Sequence, residues 1–574
     1  MAPQTKEKVG MNKREAASIA FLMASVPICL AYLPSGLPES AAEVSKEAPQ
    51  WAQDEGAFDN ISQSPFNDFF LKNNPQLKSF TREKFFPFID EFGQFIHKDW
   101  PDKLKGESDF KKRYDQETLW LGAHKRSPIG LDEFGGTICA LNFGNSRHFR
   151  IVEAGNRYFF ATPKGNIFWS YGINAVAQSS GTRISDRRSY FSGNAVEEPR
   201  YQSKLPYDRR KSIFFNFEER NKNLKYADKK SYFRRAKERL LSWGMNTIGN
   251  WSNTEFIQEA KMPFVVTAEI AKTRYISYEK SAGRNLGANV PDYFDDKFPD
   301  GQLAAYQAVQ REITSPYCIG VFSGYKIGWQ YNGADIAAQT LASPPGQPAK
   351  IFFAGMLKDK YGPISALNKS WGSDYRNWED FLERSSMPPK TAEGLIDVRE
   401  FTGAYYERFF SVCARALKRV DADVLYLGCR FQEYPKDARL LCTAAKYADV
   451  VSLVCYSLKP EDLKLPKNCP RRPILACEFN FCATDRGVFG GGFNPVQTTA
   501  LQCDMFADYA RRTMANPGVI GLHWMRYSDP PTSGKHNGEN TASGFVDICD
   551  TPIYPLCEIS SKLGAEVLKT QKIK

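Results

Sequence analysis

Residues 472–486 have the sequence RPILACEFNFCATDR, and this stretch decides how the rest of the chain is interpreted. A proline opens it, and the apolar run at 473–477 is typical of a short strand buried on both faces. One acid, Glu478, ends the run and is followed by aromatic residues. A parallel barrel presents catalytic groups in this way, at the carboxyl ends of its strands. The alternative is a strand-end glutamate in a structural ion pair, which this stretch alone leaves open.

Strand-like and helix-like segments alternate on both sides of this stretch. A hairpin whose turn is at 163–166 leads into a first strand that ends at Asn174. Further strands are predicted at 246–251, 264–268, 318–325, 424–429, 450–456, 473–478 and 519–524. Helices are predicted at 231–243, 302–314, 349–368, 401–420 and 498–516, and after Pro555. This alternation predicts an α/β fold, a (β/α)8 TIM barrel, and we find no internal repeat.

Polar and aromatic residues stand at the predicted strand ends, where a barrel has its mouth. In chain order they are Asn174, Asn250, Trp251, Glu269, Lys326, Arg430, Tyr456, Glu478, His523 and Trp524. A single strand-end Asn or Tyr is usually structural, but such residues at every strand end favour a functional mouth. A tryptophan at the end of the last strand, Trp524, suits stacking on the face of a sugar.

Composition and charge limit the class of protein. The 574 residues are 42% hydrophobic and 14% aromatic, as in an ordinary globular protein. The net charge of +11 favours anionic partners such as sulfated glycans, nucleic acid or anionic lipid. The basic residues occur in small scattered groups without a nucleic-acid motif, so we expect no nucleic-acid partner. No Cys or His spacing indicates a metal site, and we expect no cofactor.

Three regions are predicted along the chain. Residues 1–41 contain a basic pair followed by an apolar run, which we interpret as a signal peptide, with an uncleaved anchor as the alternative. Residues 42–149 are predicted to be a linker and an accessory region, and residues 150–574 the barrel. The expected location is therefore secreted or periplasmic, with anchoring through the N-terminal segment as the alternative and no other membrane contact. Export would favour disulfides, but their pairing does not follow from the sequence.

Several long segments resemble the β-agarase family, glycoside hydrolase family 50. They are GQFIHKDWP at 93–101, SWGMNTIGNWS at 242–252, LGCRF at 427–431, EFNFCATDRG at 478–487, HWMRYSD at 523–529 and GENTASGFVD at 538–547. They keep the family's order, and the resemblance extends from about residue 85 to residue 560.

The resemblance implies a clan-A barrel that cleaves β-galactosidic bonds of agar-type galactans with retention of configuration. In that scheme a glutamate at the end of strand seven is the nucleophile, and Glu478 occupies this position. A second glutamate, at the end of strand four, is the acid/base. Retention requires the two carboxyl groups to lie roughly 5–5.5 Å apart.

The chain departs from the family pattern at strand four. The family has Asp-Asn-Glu where this chain has Gly324, Tyr325 and Lys326, and the flanking residues 319–320 and 328–329 keep the register. A lysine therefore replaces the proton donor. Lys326 would then be a catalytic cation, a partner for a sulfate or carboxylate on the sugar, or a structural salt-bridge residue.

Three outcomes follow from this replacement. Another carboxylate takes over, with Glu269, Asp529 and Glu539 as candidates. Alternatively, Lys326 itself donates a proton after burial has lowered its pKa. In the third case hydrolysis is lost and the barrel only binds a glycan.

We therefore expect a secreted glycoside hydrolase that acts on an agar-type or sulfated galactan, with Glu478 and Lys326 in the catalytic centre. The alternative is an impaired barrel that binds sulfated polysaccharide without cleaving it. The expected partner in both cases is a polysaccharide or oligosaccharide. The predicted substrate-binding residues are Asn174, Asn250, Trp251, Glu269, Arg430, Tyr456, His523, Trp524 and Glu539. A structural surface protein, the third class, would have its mouth plugged by its own inserts, 335–347 and 489–497.

Overall fold

The computed structural model describes residues 44–53, 58, 62–125, 129–206, 208, 210–277, 290–325, 333–432, 434–435 and 437–572. Lys326 and the predicted signal peptide or anchor lie outside these residues. Within the described ranges, no helix has the length and apolar character needed to cross a membrane. The same ranges contain no group of His, Cys, Asp and Glu side chains that could hold a metal ion.

An eight-stranded parallel sheet forms the centre of the molecule. Its strands are β1 (Ser170–Ile173), β2 (Thr247–Ile248), β3 (Phe264–Ala268), β4 (Cys318–Ser323), β5 (Arg430–Gln432), β6 (Val451–Val454), β7 (Ile474–Phe479) and β8 (Val519–Trp524). Each strand pairs in parallel with the next, except β4 with β5, and β8 pairs with β1. Parallel bridges from Val321 to Tyr426 and from Tyr325 to Arg430 close the ring between β4 and β5. This closed arrangement confirms the predicted (β/α)8 barrel.

Helices follow the strands and surround the barrel. They are Phe217–Lys225 and Lys229–Ser242 after β1, Thr254–Ala260 after β2, Lys297–Gln307 and Gln310–Ile313 after β3, and Gly333–Ala342, Pro348–Tyr361, Ile364–Trp371, Trp378–Glu383 and Ala392–Val420 after β4. The later ones are Ala438–Tyr447 after β5, a short 3-10 helix, Pro460–Asp462, after β6, Thr499–Ala515 after β7 and Tyr554–Thr570 after β8. Side-chain caps start several of them, as Asp228 does by accepting from the Ser231 amide at 2.7 Å.

Several elements differ in their bounds from the sequence prediction, and in two of them a glycine with a positive φ is the cause. The fifth strand is Arg430–Gln432, whereas residues 424–429 were expected, because Gly428 adopts a φ of 69° and interrupts the extended backbone just before it. The helix expected at 349–368 is two helices, because Gly362 has a φ of 67° and is followed by Pro363, which cannot continue the hydrogen-bond ladder.

The N-terminal end of the barrel is closed by aromatic side chains. A three-stranded antiparallel sheet of Arg150–Ala154, Arg157–Ala161 and Ile167–Phe168 lies there. Its Phe160 and Phe168 form one buried cluster with residues of the barrel interior such as Leu475. The barrel is therefore a packed core at this end, and its open end is the one at which the strands carry their carboxyl termini.

The region before the barrel forms a second hydrophobic core rich in phenylalanine. Its helices are Gln50–Gln53, Asp68–Asn73, Arg82–Phe85 and Ser108–Ala123, with a 3-10 turn at Pro75–Ser79. Phe70, Phe88 and Phe95 pack around Phe489, with ring centroids 5.0 to 5.9 Å away. Because Phe489 belongs to the loop after β7, this accessory core fixes a loop at the open end of the barrel.

Short additional strands belong to the loops at the same end. Thr182–Arg183, Gln202–Lys204 and Ile213–Phe215 form a three-stranded sheet after β1, and Cys482–Ala483 pairs with Pro495–Val496 after β7. A buried ion network joins the region before the barrel to the barrel itself. Arg239 donates to Glu117 at 2.5 Å and to Asp550 at 2.7 Å, and all three side chains are buried.

Two helical glycines are expected to respond in opposite ways to alanine. A Cβ atom added at Gly564 would lie 2.5 Å from Gly244, where the last helix touches its neighbour, so G564A should destabilise the protein by about 1–3 kcal/mol. Gly403, in the helix Ala392–Val420, has no atom within 4 Å of such a Cβ. G403A should therefore stabilise by up to about 1 kcal/mol through helix propensity. Chemical denaturation of both variants measures the two shifts, and equal signs would contradict this packing.

Candidate active site

The side chain of Glu478 faces the barrel interior because β7 contains a bulge. Leu475 and Cys477 belong to the interior cluster and Ala476 to the outer core, as strict alternation requires. Val454 of β6 then pairs with Glu478 and not with Cys477, a register shift of one residue. A bulge lets two successive side chains point to the same side of a sheet. Without it, alternation would turn Glu478 towards the surrounding helices.

Donors from three strand ends converge on the Glu478 carboxylate. Arg430, on β5, donates from Nη2 to Oε2 at 2.7 Å. The hydroxyls of Tyr325, after β4, and Tyr456, after β6, both donate to Oε1, the former at 3.3 Å. The Glu478 side chain is 3% exposed. This carboxylate is therefore held in one orientation at the mouth of the barrel by side chains from three neighbouring strands.

Arg430 is fully buried and lies between aromatic rings. Its guanidinium is 4.2 Å from the Trp251 ring centroid and 4.8 Å from that of Tyr325, and these two rings meet edge to face at 4.6 Å. Trp251 adopts a φ of 57°, a left-handed conformation that costs a non-glycine residue of the order of 1 kcal/mol or more. The cation–π contacts offset this strain and keep the guanidinium aligned with Glu478.

A chain of buried hydrogen bonds forms the floor beneath this pair. Asn174 donates through its side chain to the Cys477 carbonyl at 3.0 Å and accepts from the Asn250 amide at 2.7 Å. Thr267 donates in turn to the Asn250 side chain at 2.5 Å. The bonds run from β3 through β2 and β1 to β7, so Asn174 and Asn250 hold the strand ends together beneath the mouth.

The two residues that end β8 point in opposite directions. His523 faces the interior and hydrogen bonds to the Ser170 hydroxyl at 2.8 Å, and burial lowers its pKa to about 3, so it is neutral. Trp524 is fully buried in the outer core, donates to the Ser543 carbonyl at 2.7 Å and lies 4.6 Å from the Phe506 ring. The expectation that Trp524 stacks on a sugar is therefore wrong, because alternation along β8 turns its ring away from the mouth.

The three carboxylates considered as substitute acids occupy different environments. Glu269, after β3, is half-buried, and burial raises its pKa. Asp529 is 1% exposed, accepts from the Gly544 amide at 2.6 Å and has a pKa raised by burial. Glu539 forms an ion pair with Lys535 and lies 3.7 Å from Arg526.

Sequence reasoning did not assign a role to Arg526 or Lys535. Both belong to the long loop after β8, and Lys535 is influenced electrostatically by both Glu539 and Glu478. Arg526 lies two residues beyond the end of β8, within the segment 523–529 that resembles the family. Arg526 could have been identified from the sequence by considering the two residues that follow β8. Nothing local in the sequence marks Lys535.

These observations can be set beside known proteins. The chain resembles the β-agarases. It is 26% identical over 527 residues to β-agarase B of Vibrio sp. (strain JT0107), which covers 83% of this chain and 54% of that protein. It is also 26% identical over 504 residues to β-agarase A of the same strain, covering 81% and 50% respectively. The chain thus spans about half the length of these curated relatives, and no family model matches it.

Solved structures show the same fold. PfGH50B superposes with a TM-score of 0.79 at 22% identity, covering 86% of this chain and 76% of that one. The agarase AgWH50C has a TM-score of 0.76 at 24% identity, with 88% and 75% covered. An exo-β-agarase has a TM-score of 0.76 at 24% identity, covering 85% of this chain and 74% of that one. The agreement extends over most of the chain, including the region before the barrel.

The two inserts suspected of plugging the mouth have different surroundings. Residues 336–343 are buried, and most of them lie in the helix Gly333–Ala342. In the insert 489–497, Phe489 is held by the accessory core, and the Phe493 ring lies 4.7 Å from that of Tyr456. Asn494 donates to the Tyr456 carbonyl at 2.8 Å. The second insert therefore borders the mouth beside Tyr456.

A double-mutant cycle tests the buried ion pair. R430M leaves the Glu478 carboxylate buried without its cation, so it should destabilise the protein by about 3–5 kcal/mol. Adding E478Q removes the unpaired negative charge of the Glu478 carboxylate. The double variant should therefore be about 1–3 kcal/mol more stable than the sum of the two single effects predicts. Urea unfolding of the four proteins measures this coupling. Strict additivity would show that the two side chains do not interact as the geometry indicates.

Proposed function

We propose that this chain is a glycoside hydrolase that cleaves β-galactosidic bonds of an agar-type galactan, with Glu478 as the nucleophile of a retaining mechanism. The observation that carries the proposal is a buried carboxylate, Glu478, that is turned into the mouth of a (β/α)8 barrel and oriented by Arg430, Tyr325 and Tyr456. Catalytic residues of such barrels stand at the carboxyl ends of the strands. The β-agarase relatives support the same reaction class and substrate.

In this mechanism a Glu478 oxygen attacks the anomeric carbon, and the bond from that carbon to the leaving oxygen breaks. A proton donor transfers its proton to the leaving oxygen, and a glycosyl ester of Glu478 forms. Water then hydrolyses the ester with the donor acting as base. The three hydrogen bonds to the carboxylate hold it in an attacking orientation before the substrate binds. No further entropy is therefore lost in orienting the Glu478 side chain during the reaction.

We propose Glu269 as the proton donor. Along β3, Val265 belongs to the barrel interior and Thr267 bonds to Asn250 on the mouth floor, so the period of two directs Glu269 to the same side. Its raised pKa suits a group that must be protonated before it acts. Asp529 is sealed within its loop, and Glu539 is engaged by two cations. Lys326, at the family's acid position, lies outside the described residues.

The second candidate function is binding of a galactan without cleavage. The specific observation in its favour is that Tyr325 stands where the family has asparagine and contacts Glu478 directly, next to a lysine at the acid position. A barrel that has lost its general acid keeps its sugar-binding mouth. Loss of the acid typically lowers the rate by about 10²–10⁴, so an activated substrate separates the two functions.

We also propose that the protein is exported. A disulfide joins Cys442, in the helix Ala438–Tyr447, to Cys469. Disulfides persist in oxidising compartments and are rare in the cytosol. This bond agrees with the signal peptide or anchor expected at residues 1–41, and a polysaccharide too large to enter a cell would be met outside it.

The nucleophile is tested by comparing wild type with E478Q on an aryl β-galactoside, agarose and carrageenan oligosaccharides. Wild-type turnover of at least one of these should fall by more than about 10³-fold in E478Q, because no ester can form. E566Q, which alters a carboxylate paired with Arg511 on the outer helices, is the matched control and should retain activity. Binding of oligosaccharides with no turnover of any substrate would leave the glycan-binding function in place of the hydrolase.

The proton donor is tested by the dependence on the leaving group. E269Q should lower kcat/KM for galactan oligosaccharides by about 10²–10⁴. For a dinitrophenyl β-galactoside, whose leaving group needs no proton, kcat/KM should stay nearly unchanged because it reports formation of the ester, while kcat should fall because the base that activates water is lost. D529N is the comparison among the remaining carboxylates. If E269Q affects both substrates equally, or if D529N shows the leaving-group dependence instead, Glu269 is not the donor.

A further inference from the structure

The charged groups around the mouth do not pair off completely. Arg430 is matched by Glu478 at 2.7 Å, Lys535 by Glu539, and Arg486 lies 3.6 Å from Asp529. Arg526 is left over, since its nearest carboxylate among the described residues is Glu539 at 3.7 Å, which Lys535 already occupies. In these described ion pairs, four cations therefore share three carboxylates.

Arg526 also lacks the hydrogen bonds that a buried guanidinium normally makes. It is 3% exposed, yet none of its N–H groups donates to a described residue, and its Nε is fully shielded from solvent. A guanidinium has five N–H donors, and native proteins pair most buried donors. By contrast, Arg239 of the ion network uses all three of its nitrogen atoms. A ligand is the natural acceptor for the unpaired donors of Arg526.

The neighbours of Arg526 suit an anionic acceptor. Lys535 is 7% exposed and lies in the same loop after β8. His536 follows it, its Nε2 is buried without a hydrogen bond among the described residues, and burial lowers its pKa to about 4, so it is neutral and able to donate. A guanidinium, an ammonium and an imidazole N–H together match an oxyanion with several acceptor oxygens.

We propose that Arg526, with Lys535, forms a subsite for an oxyanion carried by the galactan, a sulfate ester or a carboxylate on a sugar unit near the cleavage point. This rests on the proposed function for the nature of the chain that carries the anion. The group would place its oxygens against the unpaired N–H donors of Arg526 and complete the charge balance of the mouth. An unpaired buried charge costs free energy in the empty protein, and part of that cost is recovered when the anion binds.

The test uses oligosaccharide binding in the E478Q protein, so that no cleavage disturbs the titration. The probes are carrageenan oligosaccharides, the same oligosaccharides after chemical desulfation, and oligogalacturonides. The E478Q parent should bind a charged probe more tightly than the neutral one, and R526M should lose about 10- to 100-fold of that affinity while binding the neutral probe as before. K535M should lose affinity in the same direction. R511M, at an exposed ion pair on the outer helices, is the control.

Thermal melting of the same variants shows whether a loss of binding reflects a loss of folded protein. Arg526 makes no hydrogen bond to a described residue, and its one ion-pair partner, Glu539, stays paired with Lys535. R526M should therefore melt little lower than its parent, whereas R430M, which leaves Glu478 without its cation, should melt clearly lower. Preference for sulfated over carboxylated probes, or the reverse, identifies the anion. An unchanged preference in R526M, equal loss for charged and neutral probes, or a parent without preference would each overturn the subsite. If wild type cleaves no galactan but the preference follows Arg526, the hydrolase proposal fails and the subsite stands.

Discussion

The buried pair of Arg430 and Glu478 is the interaction around which the mouth is built. Two charges removed from water are stable only when their hydrogen-bonding positions are well satisfied. The carboxylate meets this requirement with three donors. The guanidinium donates to the carboxylate and to Cys477 and lies between two aromatic rings, while its Nη1 is buried without a hydrogen-bond partner. Each of these partners stands at the end of a different strand. The mouth therefore has this geometry only when the barrel is closed between β4 and β5.

Several features of the fold serve this pair directly. The bulge in β7 turns Glu478 inwards, and the left-handed conformation of Trp251 places its ring against Arg430. The asparagine chain beneath them joins the strands from β3 to β7. The accessory core at residues 62–123 packs on Phe489 and so fixes the loop beside Tyr456. One strained residue and several buried polar side chains thus meet at the mouth.

The resemblance predicts a change of charge at strand four, where Lys326 stands in place of the family's glutamate. Among the described groups, Arg526 shares its nearest carboxylate, Glu539, with Lys535. This balance is the basis of the proposed subsite for an anionic group on the sugar chain. Under the proposed function, hydrolysis also needs a proton donor other than the residue at the family's acid position, and this is the role proposed for Glu269.

The alternation of apolar runs, caps and turns was sufficient to predict the eight-stranded barrel, since each strand and helix is specified by local periodicity. The family-like segments and the strand-end position were sufficient to select Glu478, Arg430 and Tyr456. Which way a side chain faces was decided by the tertiary structure alone: the bulge reverses Glu478, and alternation along β8 hides Trp524. The sequence also could not predict the surroundings of Arg526 or the Cys442–Cys469 bond, because both depend on which distant residues the closed barrel brings together.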